Sequence, residues 1–383
     1  MSDSVRCVIL RGGTSKGIYL RDADLPRDPV ERENTILRIF GSPDKRQIDG
    51  LGGADPLTSK VCIIGPPPTD NPRAKDADLT YTFGQVEIDH PAVDLRSLCG
   101  NLTSGVGAFA IWEGMVETQE PITTVRIYNT NLDRMLITEV PVKDGKPLEV
   151  GDYQIPGVPG TGAPIQVDFA DTAGASAGDL LPTGNAMERL EVPGVGTLEV
   201  SMVDIGNAHV FVRAADLGMT GTETAAEIDA NTELCAKLEK IRAYAGVAMG
   251  MIDDPERAAE TSPATPFVAM IAPPQDYYDE IGGRTVKANE SDFLSRLMFM
   301  QQMHKTYAGT STVCTGVASR IPGTIVYEAC RPEARENLEV NFGHPAGVIV
   351  TEAIVELEGN HYVAKRATLG RTARRIMEGT VFI

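Results

Sequence analysis

A helix that is apolar on nearly every side cannot lie on a protein surface, and this chain contains one. In the stretch Leu95–Val116 (LRSLCGNLTSGVGAFAIWEGMV), Val106, Ala108, Phe109, Ala110 and Ile111 leave almost no polar face. The pattern predicts a buried helix over about Ser104–Met115, with the rest of the fold wrapped around it. Cys99-Gly100-Asn101 forms a tight lead-in, and Thr103 and Ser104 are suited to cap the first turn. A thiol at that end sits in the positive field of the helix, beside N–H groups that bind anions. Cys99 reads equally well as one more packed, inert cysteine, and this stretch alone does not separate the two.

With 383 residues the chain is long enough for two domains. Its 38 glycines and 25 prolines, against 5% aromatics, predict many turns and short strands. The formal charge of −18, with lysines and arginines scattered, argues against a nucleic-acid partner. Any anionic substrate then needs local positive groups to overcome the global field. The opening MSDSVRCVIL lacks the layout of a secretory signal, and no apolar run reaches membrane-spanning length. A cytoplasmic protein with no membrane partner is expected. Cys7, Cys62, Cys99, Cys235, Cys314 and Cys330 form no CxxC and no ligand-like spacing with the five histidines, so no metal site is expected. Walker A, GxGxxG and GxSxG patterns are absent, which leaves a nucleotide or a serine triad unsupported.

Arg6–Leu10 reads as a strand that enters RGGTSKG (residues 11–17) and leaves through Ile18-Tyr19-Leu20. The turn's N–H groups could face an anion, or it is an ordinary glycine-rich hairpin; its spacing is not that of a P-loop. Asp28-Pro29 starts a helix that Gly41 stops. Leu51–Pro66 is a glycine-rich loop running into a strand, Val61–Ile64, with Lys60 at the junction. A lysine there is ordinarily a solvated edge residue; partly desolvated, it could serve as a base. Strands are expected around Leu79–Ile88, Thr123–Tyr128, Met135–Val142 and Ile165–Phe169. The Pro- and Gly-rich Gly157–Gly196 marks a boundary between halves 1–190 and 191–365, with the tail 366–383 free to pack back on the first.

Beyond that boundary the chain repeats itself. Val212–Leu217 (VRAADL), after the turn Gly206-Asn207-Ala208-His209, echoes Leu20–Leu25 (LRDADL). Pro266–Pro274 (PFVAMIAPP) matches Ser59–Pro67 (SKVCIIGPP), and Ala308–Ala318 (AGTSTVCTGVA) lies over Cys99–Phe109 (CGNLTSGVGAF). The offset between the copies never falls along the chain, as one insertion in the second copy requires. Thr224–Gly246 reads as an amphipathic helix opened by a Thr-x-x-Glu capping box, and its inner stripe makes Cys235 structural. Cys314 falls inside the second helix, and Cys7, Cys62 and Cys330 lie in strand-like apolar runs; all four read as packing.

If the halves face each other, two helix N-termini converge on one cleft suited to a di- or tricarboxylate. The copies differ where chemistry is concerned: Lys60 is matched by Phe267, and Cys99 by Ala308. Only the first half keeps groups that move protons. A stereocentre inverts through an acid and a base on opposite faces, whereas two groups from one half suit proton transfer between two carbons of an allylic system.

At these residues the chain resembles the PrpF family. The resemblance rests on RGGTSKG, the glycine-rich loop ending in Lys60, the CGN at Cys99, GVASRIPGT (316–324), His344-Pro345-Ala346-Gly347 and the tail Arg371–Arg375 (RTARR), and it spans essentially the full length. It implies a diaminopimelate-epimerase-like α/β (α+β) fold of two pseudo-symmetric halves, each a curled sheet around a central helix. It implies no cofactor, and it allows for a homodimer. By motif, Lys60 would be the main proton-transferring base, Cys99 its acid/base partner or a stabiliser of the intermediate, and Ser15 a site hydroxyl. Two positions depart from the family pattern, Ala208 where Gly-Asn-Pro is usual and Ala346 where His-Pro-Ser-Gly is usual.

The expected activity is therefore a cofactor-independent allylic isomerase of a small unsaturated di- or tricarboxylate, such as methylaconitate, methylitaconate, aconitate or oxalomesaconate. Lys60 and Cys99 would do the chemistry. Asn101, Thr310, Ser311, Thr312 and His344 would hold carboxylates, with Lys16 and Arg371 for charge. The alternatives are a two-base racemase or epimerase of the same fold, which needs a second thiol where Ala308 stands, and a non-catalytic carboxylate-binding protein.

Overall fold

β1 (Ser4–Gly12) runs into the RGGTSKG segment and returns as β2 (Ser15–Arg21) through a two-residue turn pairing Gly12 with Ser15. Gly13 opens that turn at φ 51°, a left-handed conformation that favours glycine. This is a computed structural model, which describes residues 4–95, 98–155 and 157–383. The chain divides into two units, Met1–Asp168 with Gly370–Ile383, and Phe169–Leu369.

In the first unit α1 (Pro29–Phe40) starts where the Asp28 side chain accepts from the N–H groups of Val30 and Glu31, and it ends on Gly41 at φ 74°. β3 (Lys60–Gly65), buried throughout, lies parallel to β2. β4 (Leu79–Val86) runs antiparallel to β3, and the short β5 (Val93–Asp94) antiparallel to β4. Alternation along these strands sends Val5, Cys7, Ile18, Leu20, Val61 and Ile63 outward onto Ile36, Leu37, Ile39 and Phe40 of α1. The opposite face, with Tyr19 among its residues, turns to α2 (Gly100–Trp112), in which every residue but Trp112 is buried. β6 (Ile122–Asn129) and β7 (Arg134–Lys143) form a hairpin, β6 parallel to β4; β8 (Lys146–Pro147) and β9 (Ile165–Asp168) add to β7. The helix touches β1, β2, β3, β6, β7, β8 and β9, so the sheet curls about it.

The apolar helix thus begins at Gly100, four residues before the expected Ser104. Thr103 and Ser104 do not cap it: their hydroxyls donate back to Cys99 O (2.9 Å) and Asn101 O (2.7 Å) inside the first turn. Cys99 itself takes the N-cap place. Within Leu95–Val116, Arg96 and Ser97 lie outside the described residues.

The second unit repeats the order. β10 (Glu188–Val192) and β11 (Gly196–Ile205) form a hairpin, and β11 turns at Gly206 (φ 69°) into β12 (Asn207–Arg213). Asn207-Ala208-His209 is therefore strand, not turn. α3 (Ala225–Ala230) opens with the expected capping box of Thr224 and Glu227. The single helix expected over 224–246 is two, because Asn231 leaves helical geometry and its side chain caps Leu234 N–H at the start of α4 (Thr232–Ala248). After α5 (Ala258–Thr261), β13 (Phe267–Ala272) lies parallel to β12. Following the hairpin β14 (Tyr277–Asp279) and β15 (Arg284–Val286), β16 (Phe293–Phe299) runs antiparallel to β13, with β17 (Gln302–Met303) beside it. α6 (Gly309–Ala318), buried throughout, packs on β11, β12 and β19 (Gly347–Glu358). α7 (Ile325–Ala329) precedes β18 (Glu339–His344), which is parallel to β16 and antiparallel to β19. Cys330 caps the C-terminus of α7, so it is buried at a helix end and not in a strand.

β20 (His361–Arg371) pairs with β19, and β21 (Ala373–Phe382) pairs with β1 along its whole length. The break between the units falls after Asp168, ahead of residue 190. The chain is already tied to β11 there, Gly174 N–H donating to Asp204 O and the N–H groups of Ser176 and Ala177 to its carboxylate. Among the described residues no helix is long and apolar enough to cross a membrane.

Candidate active site

Lys60 is the first residue of β3 and is buried, 8% exposed. Its Nζ donates to Gln85 Oε1 at 2.6 Å and lies 5.2 Å from the Phe83 ring centroid. Among the described residues no carboxylate pairs with it.

Cys99 is half-buried at the head of α2, and its thiol caps no backbone N–H. Below it Thr103 N–H closes the first turn on Cys99 O at 3.0 Å. Cys62, two residues beyond Lys60, is fully buried, and burial pushes its thiol well above the ordinary range despite a contact with the Tyr81 hydroxyl. Cys62 therefore stays a packed thiol, while Cys99 is the accessible one of the two.

The RGGTSKG turn sits on the helix head. Asn101 Oδ1 accepts from Arg371 Nε at 2.9 Å and from Thr14 N–H at 3.4 Å, and its Nδ2 donates to Thr14 Oγ1 at 3.1 Å. A side chain at Gly13 would place its Cβ 2.2 Å from Asn101 Oδ1 and 2.9 Å from Arg371 Cδ, so glycine is needed here for space as well as for φ. Arg371 is 3% exposed, and burial lowers its guanidinium to about 10; its other bond goes to Gly370 O. Among the described residues it too has no carboxylate. Ser15 Oγ is buried with no hydrogen-bond partner among them, and Lys16 is half-buried with its N–H on Leu57 O. The first unit thus gathers an amine, a thiol, an unpartnered hydroxyl and a buried guanidinium.

In the second unit Ala308 is the N-cap of α6, the place Cys99 has on α2. Thr310 Oγ1 accepts from Asn207 Nδ2, Thr312 Oγ1 donates to Ala308 O at 3.0 Å, and Ser311 Oγ is buried with no partner among the described residues. His344 ends β18, 1% exposed, and its Nδ1 accepts from Ala346 N–H at 3.3 Å. Cys314 is fully buried, its thiol raised well above the ordinary range by burial.

Two residues were not singled out from sequence. Gln85 gains its place only through strand register, Lys60 opposite Gln85 across β3 and β4. His209 pairs with Phe267 across β12 and β13, fully buried, its Nδ1 on Asn207 O and its Nε2 without a partner among the described residues. The GNAH motif was its only sequence signal.

The chain matches the family profile described as PrpF protein over residues 3–383. It is 52% identical over 385 residues to the 3-methylitaconate isomerase of Eubacterium barkeri, covering 100% of this chain and 98% of that relative. To the 2-methyl-aconitate isomerase of Shewanella oneidensis it is 39% identical over 390 residues, covering 98% and 96%. The crystal structure of a methylitaconate-delta-isomerase superposes with a TM-score of 0.89 at 52% identity, over 99% of this chain and 96% of that one. A hydroxyproline epimerase from Agrobacterium vitis superposes with a TM-score of 0.53 at 11% identity, over 99% and 93%, a likeness of fold alone. The fold is the diaminopimelate-epimerase-like one expected from the sequence.

Proposed function

Since the chain belongs to the PrpF family and is an isomerase that moves a carbon–carbon double bond in a small carboxylate, we propose that Lys60 is its proton-transferring base and that the substrate is an unsaturated polycarboxylate of the methylitaconate type. The observation that carries this reading is a buried Lys60 bound to a neutral amide and, among the described residues, to no carboxylate.

In the reaction the Lys60 amine takes a hydrogen, as a proton, from the allylic carbon next to a carboxylate. The electron pair left behind spreads over the adjoining double bond and the carboxylate as a dienolate. A proton then adds at the far carbon, so the double bond moves one position and no atom is gained or lost. For a methylene-bearing succinate with a methyl on the neighbouring carbon, this turns the methylene into a second methyl and yields 2,3-dimethylbutenedioate, both carboxylates remaining free. Cys99 stands where it could return the proton or steady the dienolate with its S–H and the N–H groups of the helix head. Arg371, held by Asn101, supplies the fixed positive charge for one carboxylate, with Ser15 and Lys16 beside the same turn. For the second unit we assign substrate-binding roles to Thr310, Ser311, Thr312 and His344.

The test is incubation with 3-methylitaconate, 2-methylaconitate, aconitate and oxalomesaconate in deuterated buffer, followed by NMR. Double-bond migration with deuterium entering at the far carbon of methylitaconate is the expected result. Inversion of a stereocentre without migration, or binding without turnover of any of the four, would sink the reading.

A further inference from the structure

Lys60 is held by a carboxamide whose direction is fixed. The Gln85 Nε2 donates to two carbonyl oxygens of the loop before β3, Pro56 O at 3.1 Å and Ser59 O at 3.0 Å. Those oxygens only accept, so the amide cannot be turned over, and Oε1 is left pointing at Lys60 Nζ. An amide oxygen accepts a hydrogen bond from an ammonium and from a neutral amine alike. It therefore aims the nitrogen without binding the proton to it, whereas a carboxylate in the same place would favour the ammonium.

The second unit supports the pairing. Ile18 pairs with Val61 in the first unit as Val210 pairs with Val268 in the second, which makes Lys60 and Phe267 equivalent. One step beyond the Val268 and Met298 pair, the residue opposite Phe267 is Phe299, its ring 5.2 Å away edge to face. Where the amine is replaced by a benzene ring, the amide is replaced too. A glutamine serving only the strand ladder would have no reason to go with the lysine.

We propose that Gln85 is the positioning residue for Lys60, holding the amine in line through both halves of the proton transfer. This rests on Lys60 being the base. The titratable and charged groups on the elements around Lys60 are Cys62 on its own strand, Lys16, Tyr19 and Arg21 on β2, Tyr81 on β4, Asp94 opposite Gln85 on β5, Cys99 at the head of α2, and Asp55 in the preceding loop. Of these, Cys62 is kept uncharged by burial.

The experiment measures kcat and KM against pH for the wild type, Gln85→Met, Gln85→Glu and Lys60→Ala, each checked for folding by circular dichroism. Gln85→Met keeps the length and removes the acceptor; kcat should fall about tenfold to a hundredfold with KM little changed. In Gln85→Glu the added negative charge keeps the proton on the amine, so the rising limb of kcat/KM should move to higher pH by about one unit or more. With Lys60→Ala inactive, wild-type kcat in Gln85→Met or a wild-type pH limb in Gln85→Glu overturns the role of Gln85 and leaves the base standing. A Lys60→Ala that turns over at the wild-type rate overturns the base, and the positioning role falls with it.

Discussion

Lys60 and Phe267 open equivalent buried strands, each lying parallel to the second strand of a hairpin in its own unit. Cys99 and Ala308 stand in the same relation at the heads of the two central helices. Both groups proposed to move protons belong to one unit, and their counterparts, a phenyl ring and a methyl, cannot take up a proton.

Lys60→Ala and Cys99→Ala should each lower turnover at least about a hundredfold while the protein stays folded. Cys314→Ala should keep most activity, because that thiol is buried within α6 and held protonated by burial. Steady-state kinetics on the three variants settles the matter. A folded Cys314→Ala as inactive as Cys99→Ala would mean that the equivalence of the helix heads is misread.

Arg371→Met should raise KM or lower kcat/KM by about tenfold to a hundredfold, the scale of one lost hydrogen bond to a charged group. Asn101→Ala should act in the same direction through the loss of its 2.9 Å bond to the Arg371 Nε. Wild-type kinetics in Arg371→Met would remove the guanidinium from substrate binding.

His209 gives the protein an acid-sensitive spot. Burial lowers its imidazole from the ordinary 6.5 to about 4, so it is neutral in the fold while the unfolded chain takes up a proton below about 6.5. Between those values the unfolded state binds more protons, and stability falls as the pH falls. Urea unfolding at pH 7.5 and pH 5 should show a larger loss for the wild type than for His209→Phe. Equal losses would mean that His209 is not buried neutral.

The proton shift should be suprafacial. If Lys60 and Cys99, both in the first unit, carry the proton between them as proposed, it leaves and returns on one face of the substrate plane. Substrate stereospecifically deuterated at the reactive carbon would reveal which face of the product carries the new hydrogen. Some label should return before it exchanges, and only some, since a lysine ammonium has three equivalent hydrogens. Antarafacial transfer would mean that Lys60 and Cys99 do not carry the proton between them.

What the sequence made legible was local chemistry and repetition. Asp28, Pro29 and Gly41 bound α1 as read, because caps act within one turn. The repeat matched the end of β2 with that of β12, β3 with β13, and α2 with α6, which hold like places in the two units. The start of α2 was misplaced because a hydroxyl near a helix N-terminus can cap or bond backward, and Thr103 and Ser104 do the latter. Asn231 was read as helix interior because its side chain suits either state. Gln85 and the Arg371 contact with Asn101 depend on register and on chain segments 270 residues apart, for which no local pattern exists.

The pairing of β21 with β1 makes the unit that bears Lys60 and Cys99 discontinuous in the chain. A nascent polypeptide emerges from the ribosome in order, so β1 waits for its partner until everything from Phe169 to Leu369 has been synthesised. The second unit has all its segments in hand before the first acquires its outer strand and its buried guanidinium. Vectorial synthesis therefore completes first the unit that lacks Lys60 and Cys99. A nascent chain stopped short of Arg371 has its amine and its thiol but not the charge proposed to draw a carboxylate to them.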